Sequence, residues 1–129
     1  MTTIREVMST DLVTAEPSTT MAETVRAMSK AQVGSALVLE EGALVGIFTE
    51  RDVLRAFDQM HADPARVSLV SKGMTPDPLT IGPNATVGEA MDMMLEGGFR
   101  HLPVMEAGDA RWHRLHARPR PEHLERLRA

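Results

Sequence analysis

Apolar and polar positions follow two rhythms along this chain, and the same succession of rhythms occurs twice. Val25, Met28 and Ala31 recur at helical spacing behind Thr20-Met21-Ala22-Glu23, a capping box. That pattern predicts an amphipathic helix with these three side chains on its buried face. Met91, Met94 and Leu95 take the same part behind Thr86-Val87-Gly88-Glu89. Apolar runs at Ser35 to Leu39 and at Leu44 to Phe48, on either side of Glu41-Gly42, predict two strands joined by a tight turn. A further strand is predicted over Arg100 to Met105. Short extended lead-ins at Leu12 to Ala15 and Pro78 to Ile81 precede a proline turn and each capping box, and Glu50 to about Gln59 closes the first half as a helix.

The two halves are copies. Met8, Asp11, Thr14, Pro17, Thr20, Glu23 and Met28 recur as Met74, Asp77, Thr80, Pro83, Thr86, Glu89 and Met94, all at an offset of 66. Register, caps and turns agree without a gap, which marks an internal repeat of one strand-and-helix unit and an α+β fold. Within each unit the order is strand, helix, two strands, helix. That order, with Val7-Met8-x-x-Asp11-x-x-Thr14 at the start and Gly46-Ile47-Phe48-Thr49-Glu50-Arg51-Asp52 at the end, resembles the CBS domain, named for cystathionine beta-synthase. The resemblance spans residues 4 to 109. It implies a tandem pair with two packed sheets, ligand clefts between the repeats, and a regulatory role through adenosine-containing molecules. It also implies a homodimer formed through helices. The expected boundaries are 1–66 for the first repeat and 67–109 for the second, followed by an atypical tail over 110–129.

Thr49 and Asp52 form the candidate corner. Thr49 is placed as an N-cap and Asp52 at the third helical position, so a hydroxyl and a carboxylate share one turn at a positive helix end. One group donates and accepts and the other only accepts, which matches the vicinal hydroxyls of a ribose. Gly46 and Arg51 complete the motif, Val13 and Thr14 would supply an apolar wall and backbone groups for a base, and Ile47 the other wall. The resemblance further implies that Arg100 and His101, in Phe99-Arg100-His101-Leu102-Pro103-Val104, reach the phosphates of a nucleotide. The plain structural alternatives are a capping box that only starts a helix, and a solvated strand end.

Beyond residue 109 the pattern fails. Residues 110–129 hold six Arg and two Glu, whereas residues 1–109 hold eight basic and sixteen acidic residues. At the offset of 66 the second corner should fall at Trp112, Leu115 and Arg118, none of which repeats its chemistry. The second copy is therefore expected to be truncated after Met105, without its last strand and helix, and with a bare edge beside Arg100 to Met105. A frameshift is the hypothesis for this change. Reading from the second base of the Trp112 codon forces a glycine opposite Gly46, and the following codons permit Ile-Val-Ser-Met-Arg-Asp. Resequencing the gene around codons 107 to 110 tests it; an intact codon series without a slip site counts against it. His113, His116 and His123 are set aside as metal ligands, because no Cys or carboxylate lies at ligand spacing along the tail.

Composition narrows the function. There is no Cys for disulfides or thiolate chemistry, and 3% aromatic residues leave little for stacking on single-stranded nucleic acid. The ten Met read as core filler. No stretch approaches a membrane span and no signal pattern opens the chain, so a cytoplasmic location is the default expectation. No nucleophile–base pair, Gly-rich phosphate loop or zinc-binding helix motif is present. The first reading is a non-enzymatic regulatory module that binds an adenosine ligand of the AMP, ATP or S-adenosylmethionine class, with no cofactor required and no metal. The second is a protein- or nucleic-acid-interaction factor acting through its basic tail, for which nucleic-acid affinity would fall steeply with salt.

Overall fold

The computed structural model of the chain describes residues 1–60, 68–106 and 111–116. In chain order the elements are α1 (Ile4–Val7), β1 (Thr14–Ala15), α2 (Met21–Ala31), β2 (Ser35–Glu40), β3 (Ala43–Thr49) and α3 (Glu50–Met60). There follow α4 (Val70–Gly73), β4 (Thr75–Pro76), α5 (Val87–Gly97), β5 (His101–Glu106) and β6 (Arg111–His116). Contacts divide them into a first unit, Asp11–Pro78, and a second unit, Met1–Thr10 with the described residues from Leu79 onward. Each unit draws on both linear copies. Among the described residues no helix is long and apolar enough to cross a membrane.

Thr20 and Thr86 start α2 and α5 as the capping boxes predict. Each hydroxyl accepts the N–H of the residue three positions on, at 3.1 Å from Glu23 and from Glu89, satisfying a donor that the helix itself leaves unpaired. Both helices end on a left-handed residue, Gln32 at φ 57° and Gly98 at φ 72°. Glycine adopts that conformation freely and glutamine at a cost. The buried faces differ from expectation. They consist of Met21, Thr24 and Met28 in α2, and of Val87, Ala90 and Met94 in α5. Val25 is only partly buried and Ala31 is exposed, while Met91 and Leu95 are 43% and 78% exposed. Periodic spacing fixes that one face is apolar but not which of the neighbouring rows meets the core, and the row used is the one that starts beside the cap.

The first unit holds a four-stranded sheet in the order β1-β2-β3-β4. β1 runs parallel to β2, and the other neighbours are antiparallel. Glu41 and Gly42, at φ 52° and 83°, make the two-residue hairpin turn whose twist suits a β-ribbon. In the second unit β5 and β6 pair antiparallel from His101↔His116 to Glu106↔Arg111. Single bridges, Ile81↔Val104 and Ser9↔Arg114, stand on either side of that ribbon where β1 and β4 flank the first.

The expected truncation is thereby corrected: a strand follows Met105, and the edge expected to be bare carries β6. Alternation explains it. Leu115, 7% exposed, packs with Leu102 and Val104 in the core, and His113, 3% exposed, lies on the same face. The offset of 66 missed this strand because two residues separate β2 from β3 but four separate β5 from β6, while a bulge in β3 opposite Val38 and Leu39 takes one of the two extra residues back. Val38 opposes Gly46 while Val104 opposes His113, so past the hairpin the copies correspond at 67. The expected loss of the final helix concerns residues 117–129, which lie outside the described residues.

Short segments ahead of each repeat tie the units together internally. The N–H groups of Ile4 and Arg5 donate to the carbonyls of Ala85 and Pro83, each at 2.9 Å, and Val87 N–H donates to the Thr2 carbonyl at 3.0 Å. At the corresponding places Val70 and Ser71 donate to Thr19 and Pro17, at 2.7 and 3.3 Å, and Met21 donates to Ser68 at 2.8 Å. Ile4 and Val70 are both 0% exposed. One belongs to the core with Ile81, Met94, Leu102 and Leu115, the other to the core with Ala15, Met28, Ala36 and Phe48. A polar knot accompanies the second core, where Glu106 takes a hydrogen bond from Arg5 of α1 and lies 2.9 Å from Nε2 of His113.

Two predictions follow from the second unit. Leu115→Ala should lower its stability by about 2–5 kcal/mol, the range for emptying a buried leucine site. Urea unfolding that shows less than about 1 kcal/mol would mean β6 is not part of the core. The hydrogen bond from Arg5, and then that from His113, holds the Glu106 carboxyl below its ordinary value of 4.5. A depressed carboxylate stabilises fully above the unfolded pKa, and that contribution is lost as pH falls through the lower folded value. Glu106→Gln should therefore be less stable than the parent near neutrality and show a flatter decline in Tm between about pH 5 and pH 3. Parallel acid limbs would show that the knot contributes nothing.

Candidate functional site

β3 ends at Thr49 and α3 begins at Glu50, so the corner sits where an extended strand turns into a helix. Thr49 N–H donates to Oδ2 of Asp52 at 2.8 Å, and the Thr49 hydroxyl lies 3.3 Å from the same oxygen. In α2 and α5 a threonine hydroxyl accepts a main-chain donor, and in α5 the Glu89 carboxylate also accepts the Thr86 N–H at 3.2 Å. The Thr49 corner shares that carboxylate bond, while its hydroxyl lies against Asp52. One oxygen of Asp52 is thus held by Thr49, and the other, Oδ1, lies 3.8 Å from Nη1 of Arg55. Asp52 is 4% exposed. Burial raises its carboxyl above the ordinary carboxylate value, while the Thr49 hydrogen bonds and the charges of Arg55 and Arg51 pull the other way.

Strand register sorts the remaining candidates. Ala36, Val38 and Phe48 point into the core of the first unit, so Ser35, Leu37, Ile47 and Thr49 stand on the opposite face. Thr14 opposes Leu37, Leu37 opposes Ile47, and Ile47 opposes Thr75, making one row across all four strands. Ser35 opposes Thr49 one row along. The structure therefore places Thr14, Ile47 and Thr49 together on one face, with Asp52 held to Thr49 at the end of β3. Val13 is 8% exposed and belongs to the core, while its carbonyl accepts the Leu37 N–H at 2.9 Å. Gly46 is buried beneath Met74: a Cβ there would stand 2.3 Å from the Met74 Sδ, so the glycine admits that side chain. Arg51 lies exposed in the first turn of α3.

Arg100 and His101 belong to the second unit. Arg100 is exposed just before β5, and His101, its first residue, is 8% exposed. His101 opposes His116 in the ladder, and their ring centroids are 4.6 Å apart at a tilt of 40°. The expected counterpart of Thr49, Leu115, is corrected to His116, and that of Gly46 from Trp112 to His113. Position 119, which follows from the same register in place of Arg118, lies outside the described residues. Reading single strands missed Ser35, Thr75 and His116. The tight Glu41-Gly42 turn alone would set Ser35 opposite Phe48, and it is the bulge between Val38 and Leu39 that brings Ser35 opposite Thr49.

The family model for the CBS domain matches residues 4–59 and 67–111. An uncharacterized 17.7 kDa protein of Acidianus ambivalens is 34% identical over 107 residues, covering 82% of this chain and 63% of that protein. The chain spans only 12% to 20% of the next five curated relatives that it matches. Among solved structures, an uncharacterized conserved protein of Pyrococcus horikoshii superposes with a TM-score of 0.80 at 26% identity, covering 99% of this chain and 93% of that one. CBSX2, solved in complex with AMP, superposes at 0.71 with 25% identity, covering 90% of each chain. Both linear copies fall within the family match and the whole described fold has paired counterparts, so this chain belongs to the CBS-domain family as a tandem CBS pair.

Proposed function

We propose that the chain is a regulatory module without catalytic activity of its own, and that its Thr49–Asp52 corner holds the ribose of an adenosine-containing ligand. The observation that carries this reading is the bonding of Asp52. Thr49 fixes Oδ2 and so orients the carboxylate, while Oδ1 is the oxygen able to turn toward a vicinal diol. Thr14 and Ile47 on the same sheet face supply a small polar and an apolar contact beside it. The complex of CBSX2 with AMP supports the adenosine class and makes AMP the first probe, with ATP and S-adenosylmethionine as comparators. Leu54 and Phe57, 72% and 49% exposed on α3, are the surface we expect a second copy of the chain to cover. Sedimentation that finds monomer alone removes that homodimer.

Asp52 offers the sharpest test. Its folded pKa is raised, so its ionised form costs stability once pH rises through that value. Asp52→Asn keeps an acceptor for the Thr49 N–H and removes the buried charge, and its urea midpoint at neutral pH should not fall below the parent's. Asp52→Ala loses the cap and should cost about 0.5–2 kcal/mol. Both variants should bind AMP more weakly by about 1.5–3 kcal/mol, the worth of a hydrogen bond to a charged group. Calorimetric titration reads this as a roughly ten- to hundredfold rise in Kd. Unchanged affinity in Asp52→Ala, with binding intact in the parent, would sink the ribose assignment.

A further inference from the structure

In the second unit the ladder position corresponding to Ser35↔Thr49 is His101↔His116. Two hydroxyl side chains in one copy are thus replaced by two imidazoles in the other. Leu102, Val104 and Leu115 take the core face of β5 and β6, so both imidazoles stand on the opposite face. Their ring centroids are 4.6 Å apart, and a ring nitrogen of each lies within 4.8 Å of the other. The main-chain ladder holds both Cα positions, leaving only side-chain torsions to adjust.

We propose that His101 and His116 form a binding site for a borderline divalent transition-metal ion such as Zn²⁺ or Ni²⁺. Imidazole nitrogens bind such ions at about 2.0–2.1 Å, so two donors on one ion need be only about 3 Å apart. Rotation about the side-chain torsions of a cross-strand pair at this separation spans that difference. Carbonyl- and carboxylate-seeking ions such as Mg²⁺ gain nothing from two imidazoles. Two protein ligands leave further coordination positions to water or an exchangeable molecule, which makes the site a reversible sensor rather than a structural clamp. Binding requires both imidazoles neutral, so affinity falls as the solution becomes acidic. The pairing was invisible along the chain because the two ligands lie on different strands, far apart in sequence.

The test uses the full chain after chelator treatment. Titration with ZnCl₂ should show one ion per chain and a rise in Tm that MgCl₂ does not give. His116→Ala, at the half-buried position, should raise the Zn²⁺ Kd at least tenfold, and His101→Ala should do the same. If His101→Ala does not fold, His116→Ala carries the test with Cu²⁺ in place of Zn²⁺. Electron paramagnetic resonance should then report two coupled nitrogens in the parent and one in the variant. His123→Ala should bind as the parent does. Zn²⁺ affinity unchanged in His116→Ala, loss of binding in His123→Ala, or no saturable Zn²⁺ binding by the parent at submillimolar concentration would each overturn the proposal, leaving the two rings as packing partners only.

Discussion

The fold depends on the main-chain hydrogen bonds that each leading segment makes to the turn before a helix in its unit. Ile4 and Arg5 bond to Ala85 and Pro83, and Val70 and Ser71 bond to Thr19 and Pro17. A four-residue helix has no stability of its own, because nucleation costs more than so few bonds return. Those bonds, with complete burial of Ile4 and Val70, are what make α1 and α4 persist. Proline contributes by subtraction: Pro17 and Pro83 have no N–H to place, and their carbonyls accept the incoming segments. Each core therefore contains a side chain that the other linear copy contributes.

Much of this was legible in the sequence, and the failures have physical causes. Capping boxes located α2 and α5, and the Glu41-Gly42 turn located β2 and β3, because each signal is local and carries its own hydrogen bonds. α1, α4 and β4 are too short to show a period: burial of Ile4 and Val70 defines the two helices, and pairing with Gly46 and Ile47 defines the exposed strand. The inward stripes of α2 and α5 were displaced by one step, since spacing gives the period of an apolar face but not its phase. Leu95 satisfies the period and is nevertheless 78% exposed.

The candidate site was legible as chemistry and in part as bonding, since the Thr49 N–H to Asp52 bond is one half of the capping box that the spacing names. Thr49 and Asp52 stand where the motif puts them, yet the carboxylate serves the threonine main chain rather than waiting on a ligand alone. That division of labour lessens the cost of a nearly buried acid: two hydrogen bonds and two nearby arginines oppose its desolvation, which still outweighs them and leaves the carboxyl raised. Val13 and Gly46, by contrast, are core elements that shape the corner from beneath.

The register of β6 has a consequence for how chemistry is inherited. Shifting that strand by one residue would bring Arg114 to the place Leu115 occupies against Leu102, exchanging an aliphatic side chain for a cation in an apolar interior. The hydrophobic effect forbids the shift. In choosing Leu115 for the inside it also chooses His116 as the neighbour of His101 on the outside, whatever the origin of the tail. Selection for burial on one face of a ribbon thus also sets which groups meet on the other: His101 replaces Ser35 at the unchanged offset of 66, whereas its partner is His116 rather than Leu115 because the register past the hairpin moves by one.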